Sequence, residues 1–247
     1  MRATGKPALA SASAACSLLL LASAAAPAAN HPATKLPDWS GTWACDDSCF
    51  QASEDSFGTD QGRVPLTPKY LALRAQARAN RAQQNLSFCL PAGTPGIQQH
   101  GVLHEFLFTP DRVTIIFEDG EIRRIYTDHR AHRPLKEMTA SFMGDSIGHW
   151  EGQTLVVDTI GFPKGSLFQN YGLTATLQTH LVERYHLKDK DHLLVDSVMT
   201  DPAIFASPYI YTRGYKRVPI TMDEPQCRYG NHDTGESVDL TPPPEDE

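Results

Sequence analysis

The sequence predicts a mostly β protein, an antiparallel β-barrel with one covering helix. Three observations predict it: short alternating strands begin at His104, turns rich in glycine and aspartate separate them, and one Ala-rich segment has helical composition. Several hairpins of this length in one domain favour a closed barrel or a sandwich over a sheet with crossover helices. No internal repeat and no long linker divides the sequence.

The N-terminal segment, residues 1–28, is typical of a secretory signal peptide. Arg2 and Lys6 supply positive charge, "ACSLLLLA" an apolar core, and "ASAAAPAAN" small residues for cleavage. The apolar run is too short to span a bilayer, so stable membrane insertion is not expected. We expect a periplasmic or secreted protein with one barrel domain over 29–234 and an acidic, disordered tail over 235–247.

The charge of the chain argues against nucleic acid as a partner. The full sequence has a net charge of −7, and without Arg2 and Lys6 it has 20 basic and 29 acidic residues, a net charge of −9. Phosphate backbones need a basic surface, which this composition does not offer. The glycine-rich motifs of nucleotide sites are absent from the sequence, so no nucleotide cofactor is expected.

Four cysteines remain after the predicted cleavage: Cys45, Cys49, Cys89 and Cys227. An even number in an exported chain suggests two disulfides, for which three pairings exist. The preferred pairing is Cys45–Cys49 with Cys89–Cys227, because the first closes a local loop and the second joins an early segment to the last ordered one. A metal site is the alternative, although "CDDSC" has no second close pair.

The elements follow in order along the chain. A short strand is predicted around Trp39 to Ala44. The segment "PLTPKYLALRAQARANRAQQN" is the one clear helix, with Thr67 as its cap and Pro68 in its first turn. Its inward side is predicted to carry Tyr70, Leu71 and Ala75.

The next strands, "HEFLF", "RVTIIFE" and "EIRRIY", form a meander. A two-residue turn at Asp119–Gly120 would pair Phe117 with Ile122 and Val113 with Tyr126. Arg123 would then lie on the outer face of the sheet. The inward face would carry His104, Phe106, Phe108, Val113, Ile115, Phe117 and Tyr126.

The segment "FMGDSIGHWEGQTLVVDTIGF" reads as a tight hairpin with a two-residue loop at Gly152–Gln153. This loop pairs His149 with Val156 and Ile147 with Asp158. One face of the hairpin therefore carries Asp145, Ile147, His149, Val156 and Asp158. Three ionisable groups on one patch suit an acid–base unit, and a solvated face with ordinary hydrogen bonds is the alternative.

Further candidate groups lie on other predicted strands. In "LQTHLVERYHL", His180 shares a face with Val182, Arg184 and His186, while Glu183 lies on the other face. Tyr126 is a candidate donor to a developing oxyanion, and Arg123 a candidate clamp for a substrate carboxylate. A zinc site made by His132, His149 and His180 is an alternative, but no His-x-His pair supports it and no metal is expected.

Two motifs carry a resemblance. "DWSGTW" resembles the G-x-W opening of lipocalin-type barrels. The run from "RRIYTDHRAH" to "DTIGF" is similar to a group of exported bacterial proteins of undefined function. Their pattern is R-x-I-Y-x-D-G-R-x-H followed by M-G-x-S-I-G-x-W-E-G-D-T-L-V-V-D-T-x-G-F, and the match covers roughly residues 86–227.

The resemblance implies a lipocalin-like (calycin) barrel in an exported protein and supplies no reaction. This chain departs from the pattern at His129, where the pattern has glycine, and at Gln153, where it has aspartate. The positions to which the resemblance points are Arg123, Tyr126, Asp128, Arg130, His132, Ser146, Trp150, Glu151, Asp158, Thr159 and His180.

These inferences predict one interior pocket in which a cofactor-independent acid–base enzyme, of the lyase, decarboxylase or isomerase type, binds a small aromatic or hydrophobic compound. The alternative is a non-catalytic periplasmic lipocalin-like carrier of small molecules, since fold alone does not decide between the two. The predicted catalytic residues are His180, Asp158, Tyr126 and His149. The predicted substrate-binding residues are Arg123, His104, Phe106, Phe117 and Asp145.

Overall fold

The computed structural model describes residues 35–46, 64–80, 91–99, 101–163 and 175–222. Within these residues the chain forms one α-helix, two short 3-10 helices (Gly96–Gln99 and Leu135–Glu137) and nine strands. The helix is α1 (Pro68–Asn80), and the strands are β1 (Thr42–Cys45), β2 (His104–Thr109), β3 (Arg112–Phe117), β4 (Ile122–Tyr126), β5 (Asp145–Glu151), β6 (Thr154–Ile160), β7 (His180–Asp189), β8 (His192–Thr200) and β9 (Tyr209–Val218).

The nine strands close into a barrel. Each strand pairs with the next along the chain, and β9 pairs with β1 to complete the circle. All pairs are antiparallel except β4 and β5, which run parallel and pair at Ile125–Ser146 and Tyr126–Ile147. Closure leaves no free sheet edge. The prediction of a mostly β, mainly antiparallel barrel with one helix is confirmed for the described residues.

The interior is filled by large side chains that alternate along the strands with outward-facing ones. Trp39 is the centre of one aromatic cluster, with its ring centroid 5.0 Å from that of Phe106 and 5.5 Å from that of Trp150. A second apolar cluster contains Tyr70 of α1 together with Phe205, which follows β8. The predicted inward face of β2 and β3 is confirmed, because His104, Phe106, Val113, Ile115 and Phe117 are all buried.

The register of two hairpins decides which side chains face outward. Across β5 and β6, His149 pairs with Val156 and Ile147 with Asp158, which confirms the prediction from the Gly152–Gln153 loop. Across β3 and β4 the predicted register is wrong by one residue: Ile115 pairs with Arg123, and Val113 with Ile125.

The cause of this shift is a three-residue loop. The amide of Gly120 donates to the carbonyl of Phe117, the amide of Phe117 donates to the carbonyl of Glu121, and Gly120 has a φ of +86°. A turn followed by a left-handed glycine adds one residue compared with a two-residue hairpin. Arg123 consequently faces inward and Tyr126 outward, the reverse of the prediction.

The helix packs differently from the sequence-based prediction. Tyr70 is buried as predicted, but Leu71 is 52% exposed and Ala75 is also exposed. The amide of Leu71 donates to the carbonyl of Thr67, and Pro68 opens the helix, where its missing N–H costs nothing. No described helix has the length and apolar character needed to cross a bilayer.

Some predictions fall outside the described residues. The signal peptide, the acidic tail and three of the four remaining cysteines (Cys49, Cys89 and Cys227) are among them. Cys45 lies buried at the end of β1. The pairing of the cysteines stays a prediction.

Candidate functional site

A chain of two carboxylates and two imidazoles lies on the outer surface of the barrel. His132 places Nδ1 2.8 Å from Asp145 Oδ2 and Nε2 3.0 Å from Asp158 Oδ1. His180 places Nε2 2.9 Å from the same Asp158 oxygen. The order is therefore Asp145–His132–Asp158–His180, and we call this chain the relay.

Strand alternation explains why the relay faces outward. Asp145 begins β5, Asp158 lies in β6 and His180 begins β7, and each has an inward-facing neighbour one residue further along the strand. These neighbours, Ser146, Thr159 and Leu181, are buried. The segment between β4 and β5 brings His132 over the strands. The relay thus joins four parts of the chain that are separate in sequence.

The two contacts of His132 differ in what they need as hydrogen bonds. Each of its two contacts is a hydrogen bond only if a proton lies between the ring nitrogen and the carboxylate oxygen. A neutral imidazole has a single N–H, so the second bond needs another proton, carried either by the ring or by one carboxyl group. The two contacts of His132 are therefore both hydrogen bonds only when the three groups share such a further proton.

A groove of about 350 Å³ opens beside Asp158. Its floor consists of outward-facing strand residues with apolar side chains, Ile147, Val156 and Val182. The segment after β4 supplies one wall. The full lining is His129, Arg130, Ile147, Gly148, His149, Val156, Asp158 and Val182.

The wall residue His129 has an unusual backbone. Its φ is +64°, in the left-handed region that favours glycine. This is the position at which the resemblance predicts a glycine. The left-handed turn is thus present in this chain, and it carries an exposed imidazole on the groove wall.

The cationic groups around the groove are held by carboxylates. Arg130 binds Asp128 through Nε at 2.8 Å and through NH2 at 2.6 Å, and its guanidinium lies 3.8 Å from the centre of the Tyr126 ring. The hydrogen bond from Arg130 lowers the pKa of Asp128 to about 2. Asp128 is therefore an anion at neutral pH, paired with Arg130.

The other end of the groove shows the same pairing. Arg184 NH2 lies 2.7 Å from Glu151 Oε2, and His149 Nε2 lies 3.2 Å from Glu151 Oε1. The hydrogen bonds from Arg184 and then His149 lower the pKa of Glu151. The positive charge at this end is therefore matched by Glu151.

The barrel interior holds a separate polar cluster around Arg123. Its guanidinium makes a bidentate contact with Glu183, and it donates to Tyr185 Oη at 2.9 Å and to Thr159 Oγ1 at 2.9 Å. Gln98 Nε2 also donates to Glu183. Burial opposes the charge of Arg123, but the Glu183 carboxylate outweighs it, and the pKa of Arg123 is raised.

This interior cluster is structural in character. Arg123 is 1% exposed and Glu183 is 0% exposed. Burial raises the pKa of Tyr185 well above its ordinary value, so the phenol stays protonated. The donors of Arg123 are bonded to protein groups and its side chain has no access to solvent, so it lies apart from the outer groove, and its binding role stays a prediction.

The predicted site residues divide into two groups. Asp145, Asp158, His180 and His149 lie on the outer surface, where the relay and the groove meet. The predicted binding residues Arg123, His104, Phe106 and Phe117 are buried in the interior. The prediction of one interior pocket shared by both groups is wrong, because the barrel wall separates them.

Tyr126 and His104 have surroundings that differ from those predicted. Tyr126 faces outward beneath Arg130 and does not face the interior aromatic cluster. His104 faces the interior as predicted, and burial lowers its pKa to about 4. His104 is therefore a neutral side chain at physiological pH.

The sequence-based selection missed His132 as a catalytic candidate and gave Glu183 no role. His132 is one of the positions to which the resemblance points. It lies between predicted strands, so no strand register could place it relative to the other candidates. Glu183 had a usable signal: strand alternation puts it on the apolar face with Leu181 and Tyr185, where a carboxylate needs a cationic partner.

A metal site is not formed by the relay. Within the described residues, no group of three or more histidine, cysteine, aspartate or glutamate side chains converges as metal ligands. The imidazoles of His132 and His180 are directed at one carboxylate oxygen of Asp158.

Comparisons with known proteins give only a distant structural likeness. No known protein family and no curated protein sequence matches the chain. Two solved structures that resemble the fold are crystal structures of the fluorescent protein UnaG, wild type and an asparagine-to-alanine mutant. Both are 14% identical and cover 73% of this chain, with 97% and 96% of their own chains covered and TM-scores of 0.34 and 0.35. We draw no functional conclusion from this likeness.

Proposed function

We propose that this protein is a cofactor-independent acid–base enzyme, of the lyase, decarboxylase or isomerase type, which acts on a small, partly apolar molecule bound in the outer groove. The observation that carries the proposal is that Asp158 belongs both to the relay and to the lining of the groove. A carboxylate bonded to imidazoles beside a binding cavity suits general acid–base catalysis.

Asp158 is the proposed proton acceptor. Its Oδ1 receives His132 and His180, while its Oδ2 has no hydrogen-bond partner among the described residues. Oδ2 is thus the oxygen that a bound molecule can approach. A proton taken from the substrate would be bound at Oδ2, and both imidazoles contact Oδ1 of the same carboxylate.

The two imidazoles have different proposed roles. His132 is held on both sides by Asp145 and Asp158, so it fixes the orientation of Asp158 and shares its protons. His180 is 40% exposed in its side chain, and its Nδ1 has no hydrogen-bond partner among the described residues. His180 therefore exchanges protons between Asp158 and solvent.

One observation favours the alternative, a non-catalytic carrier. Asp158 is 41% and His180 40% exposed, so water weakens the electrostatic effects on which catalysis depends. In a carrier, the same groove would bind the molecule and the relay would select it by hydrogen bonding.

To test the proposal, the purified protein is incubated with small aromatic acids, alcohols, ethers and terpenoids, with and without chelator. Product formation and ligand depletion are then measured. Asp158→Asn and His180→Gln are the test variants. His186→Gln is the matched control, because His186 is on the outer face of the same strand and does not line the groove.

Turnover that survives the chelator, falls at least about a hundredfold in both test variants and is unchanged in His186→Gln supports the enzyme. Saturable binding with the compound recovered unchanged identifies a carrier. Full activity in Asp158→Asn rules out the proposed role of Asp158.

The family relationship and the location of the protein are also proposals. The G-x-W motif, with Trp43 fully buried, supports a lipocalin-like barrel. The long motif supports membership of the group of exported bacterial proteins, and the N-terminal segment supports a periplasmic or secreted protein with disulfides. Mass spectrometry of the intact protein from a periplasmic fraction tests cleavage near Ala28 and the number of disulfides together.

A further inference from the structure

The charges around the groove restrict what it can bind. Two arginines near the groove are bonded to carboxylates: Arg130, which lines it, to Asp128, and Arg184, the strand partner of Val156, to Glu151. A ligand carboxylate would have to displace one of these protein carboxylates, and it would also approach the charge of Asp158. An anionic ligand is therefore disfavoured electrostatically.

A cationic ligand is disfavoured by the groups that already surround Asp158. The groove is lined by His129, Arg130 and His149, and Asp158 already accepts two imidazoles. An ammonium group would therefore have to compete with two imidazoles for the carboxylate of Asp158.

What the groove does present is one acceptor and an apolar floor. Asp158 Oδ2 is the acceptor, and Ile147, Val156 and Val182 form the floor. Ile147 is the residue of β5 that pairs with Asp158. The Cα atom of His149, two residues further along β5, is about 7 Å from that of Ile147. A volume of about 350 Å³ is near the lower limit for ligand pockets, so the ligand is compact.

We propose that the ligand of this groove is a neutral, hydroxyl-bearing molecule with a compact apolar body, whose hydroxyl group donates to Asp158 Oδ2. This inference rests on the proposed function for the location of the site and adds the substrate class. It removes decarboxylation from the proposed reactions, because that reaction needs an acid as substrate, and it leaves lyase and isomerase chemistry.

The test uses four probes that share one apolar body: 2-phenylethanol, its methyl ether, phenylacetate and 2-phenylethylammonium. Their affinities for the purified protein are measured by NMR from shifts of the Ile147, Val156 and Val182 methyl groups. Asp158→Asn is the test variant. Asp196→Asn is the control, since Asp196 is also an outward-facing carboxylate but does not line the groove.

We expect 2-phenylethanol to bind about tenfold or more tightly than the other three probes, because only it donates a hydrogen bond to a charged acceptor without carrying charge itself. In Asp158→Asn the preference over phenylacetate should fall to about threefold or less, since the repulsion is removed. Asp196→Asn should keep the preference of the wild type.

The inference is overturned if phenylacetate, the ammonium or the ether binds as tightly as the alcohol. It is also overturned if the preference for the alcohol over phenylacetate persists in Asp158→Asn, or if none of the probes shifts the three methyl groups. Failure of the proposed function looks different. A retained hydroxyl preference without turnover of any compound identifies a hydroxyl-selective carrier. Turnover of an acid, with no preference for the alcohol, keeps the enzyme and removes this substrate class.

Discussion

His104 lies in the barrel interior with its ring against three aromatic neighbours. The centroid of the Tyr215 ring is 4.7 Å away, that of Phe106 5.3 Å and that of Phe117 5.6 Å. Burial among these rings penalises the imidazolium, which lowers the pKa of His104 from 6.5 to about 4. The folded protein therefore binds this proton more weakly than the unfolded chain does.

The sign of the pH dependence follows from this shift. His104 costs no stability above about pH 6.5, and the free energy of unfolding falls as the pH drops from 6.5 towards 4. Between pH 7 and pH 4.5 we expect the wild type to lose about 2 to 3 kcal/mol more than His104→Leu. Urea unfolding followed by circular dichroism at the two pH values measures this difference.

The control for His104 is His186→Gln, which changes an outward-facing histidine near Asp196. Solvent screening keeps the effect of such a pair small, so this variant should retain the pH dependence of the wild type. An equal loss of stability in the wild type and His104→Leu would contradict the account.

At this scale, strand alternation predicts which residues share a face better than it predicts which face is inside. It placed Asp145, Ile147, His149, Val156 and Asp158 together correctly, and the structure shows that their face is the outer one. Three ionisable groups on one face were evidence for solvent exposure as much as for a site. The inward pair Arg123–Glu183 was not predicted, because its members are distant in sequence and the register of β4 was wrong.

The turns explain success and failure at the scale of elements. Gly152–Gln153 supports a two-residue loop, and the β5–β6 register follows from it. Asp119–Gly120 is compatible with both a two-residue loop and a three-residue loop that ends in a left-handed glycine. Glu121 favours the longer form in this fold, because its carboxylate accepts the amides of Ala92 and Gly93 from a distant segment. Sequence near the turn does not contain that information.

The segment after β4 yields a prediction about His129. Its left-handed backbone, with φ of +64°, is unfavourable for a residue that carries a Cβ. His129→Gly should raise the free energy of unfolding by about 0.5 to 1 kcal/mol, because the side chain is exposed and glycine adopts this conformation without strain. Thermal and urea unfolding measure the gain.

His129→Ala is the matched control, since alanine removes the imidazole and keeps the Cβ. It should show no gain in stability. A similar gain in both variants would mean that the imidazole, rather than the backbone conformation, is the source of the strain.

At the scale of the whole barrel, the strand pairs differ in how much backbone they join. β7 pairs with β8 from His180–Thr200 to Asp189–His192, whereas β4 and β5 pair only along Ile125–Tyr126 and Ser146–Ile147. We call the β4–β5 pair the seam. Inside the wall, Arg123 of β4 bonds Ser146 of β5; outside, His132 of the segment between the two strands bonds Asp145 of β5. The relay therefore lies at one of the two strand pairs with the shortest pairing, the other being β1–β2.

This arrangement predicts that the relay stabilises the seam locally. In His132→Gln the amides that donate across the seam, from Ile125, Tyr126, Ser146 or Ile147, should exchange with solvent roughly fivefold faster than in the wild type, which corresponds to about 1 kcal/mol of lost opening free energy. The amides of β7 and β8 should be unchanged, because their pairing does not involve His132. Hydrogen exchange followed by NMR measures both sets in one experiment.

His186→Gln again serves as the control and should leave the seam amides unchanged. A uniform increase in exchange across β5, β7 and β8 in His132→Gln would show a global loss of stability and contradict a local role. Unchanged exchange at the seam would show that Arg123 and the backbone suffice to close it. If the seam alone opens faster, closure of the barrel between β4 and β5 depends on the two bonds of His132.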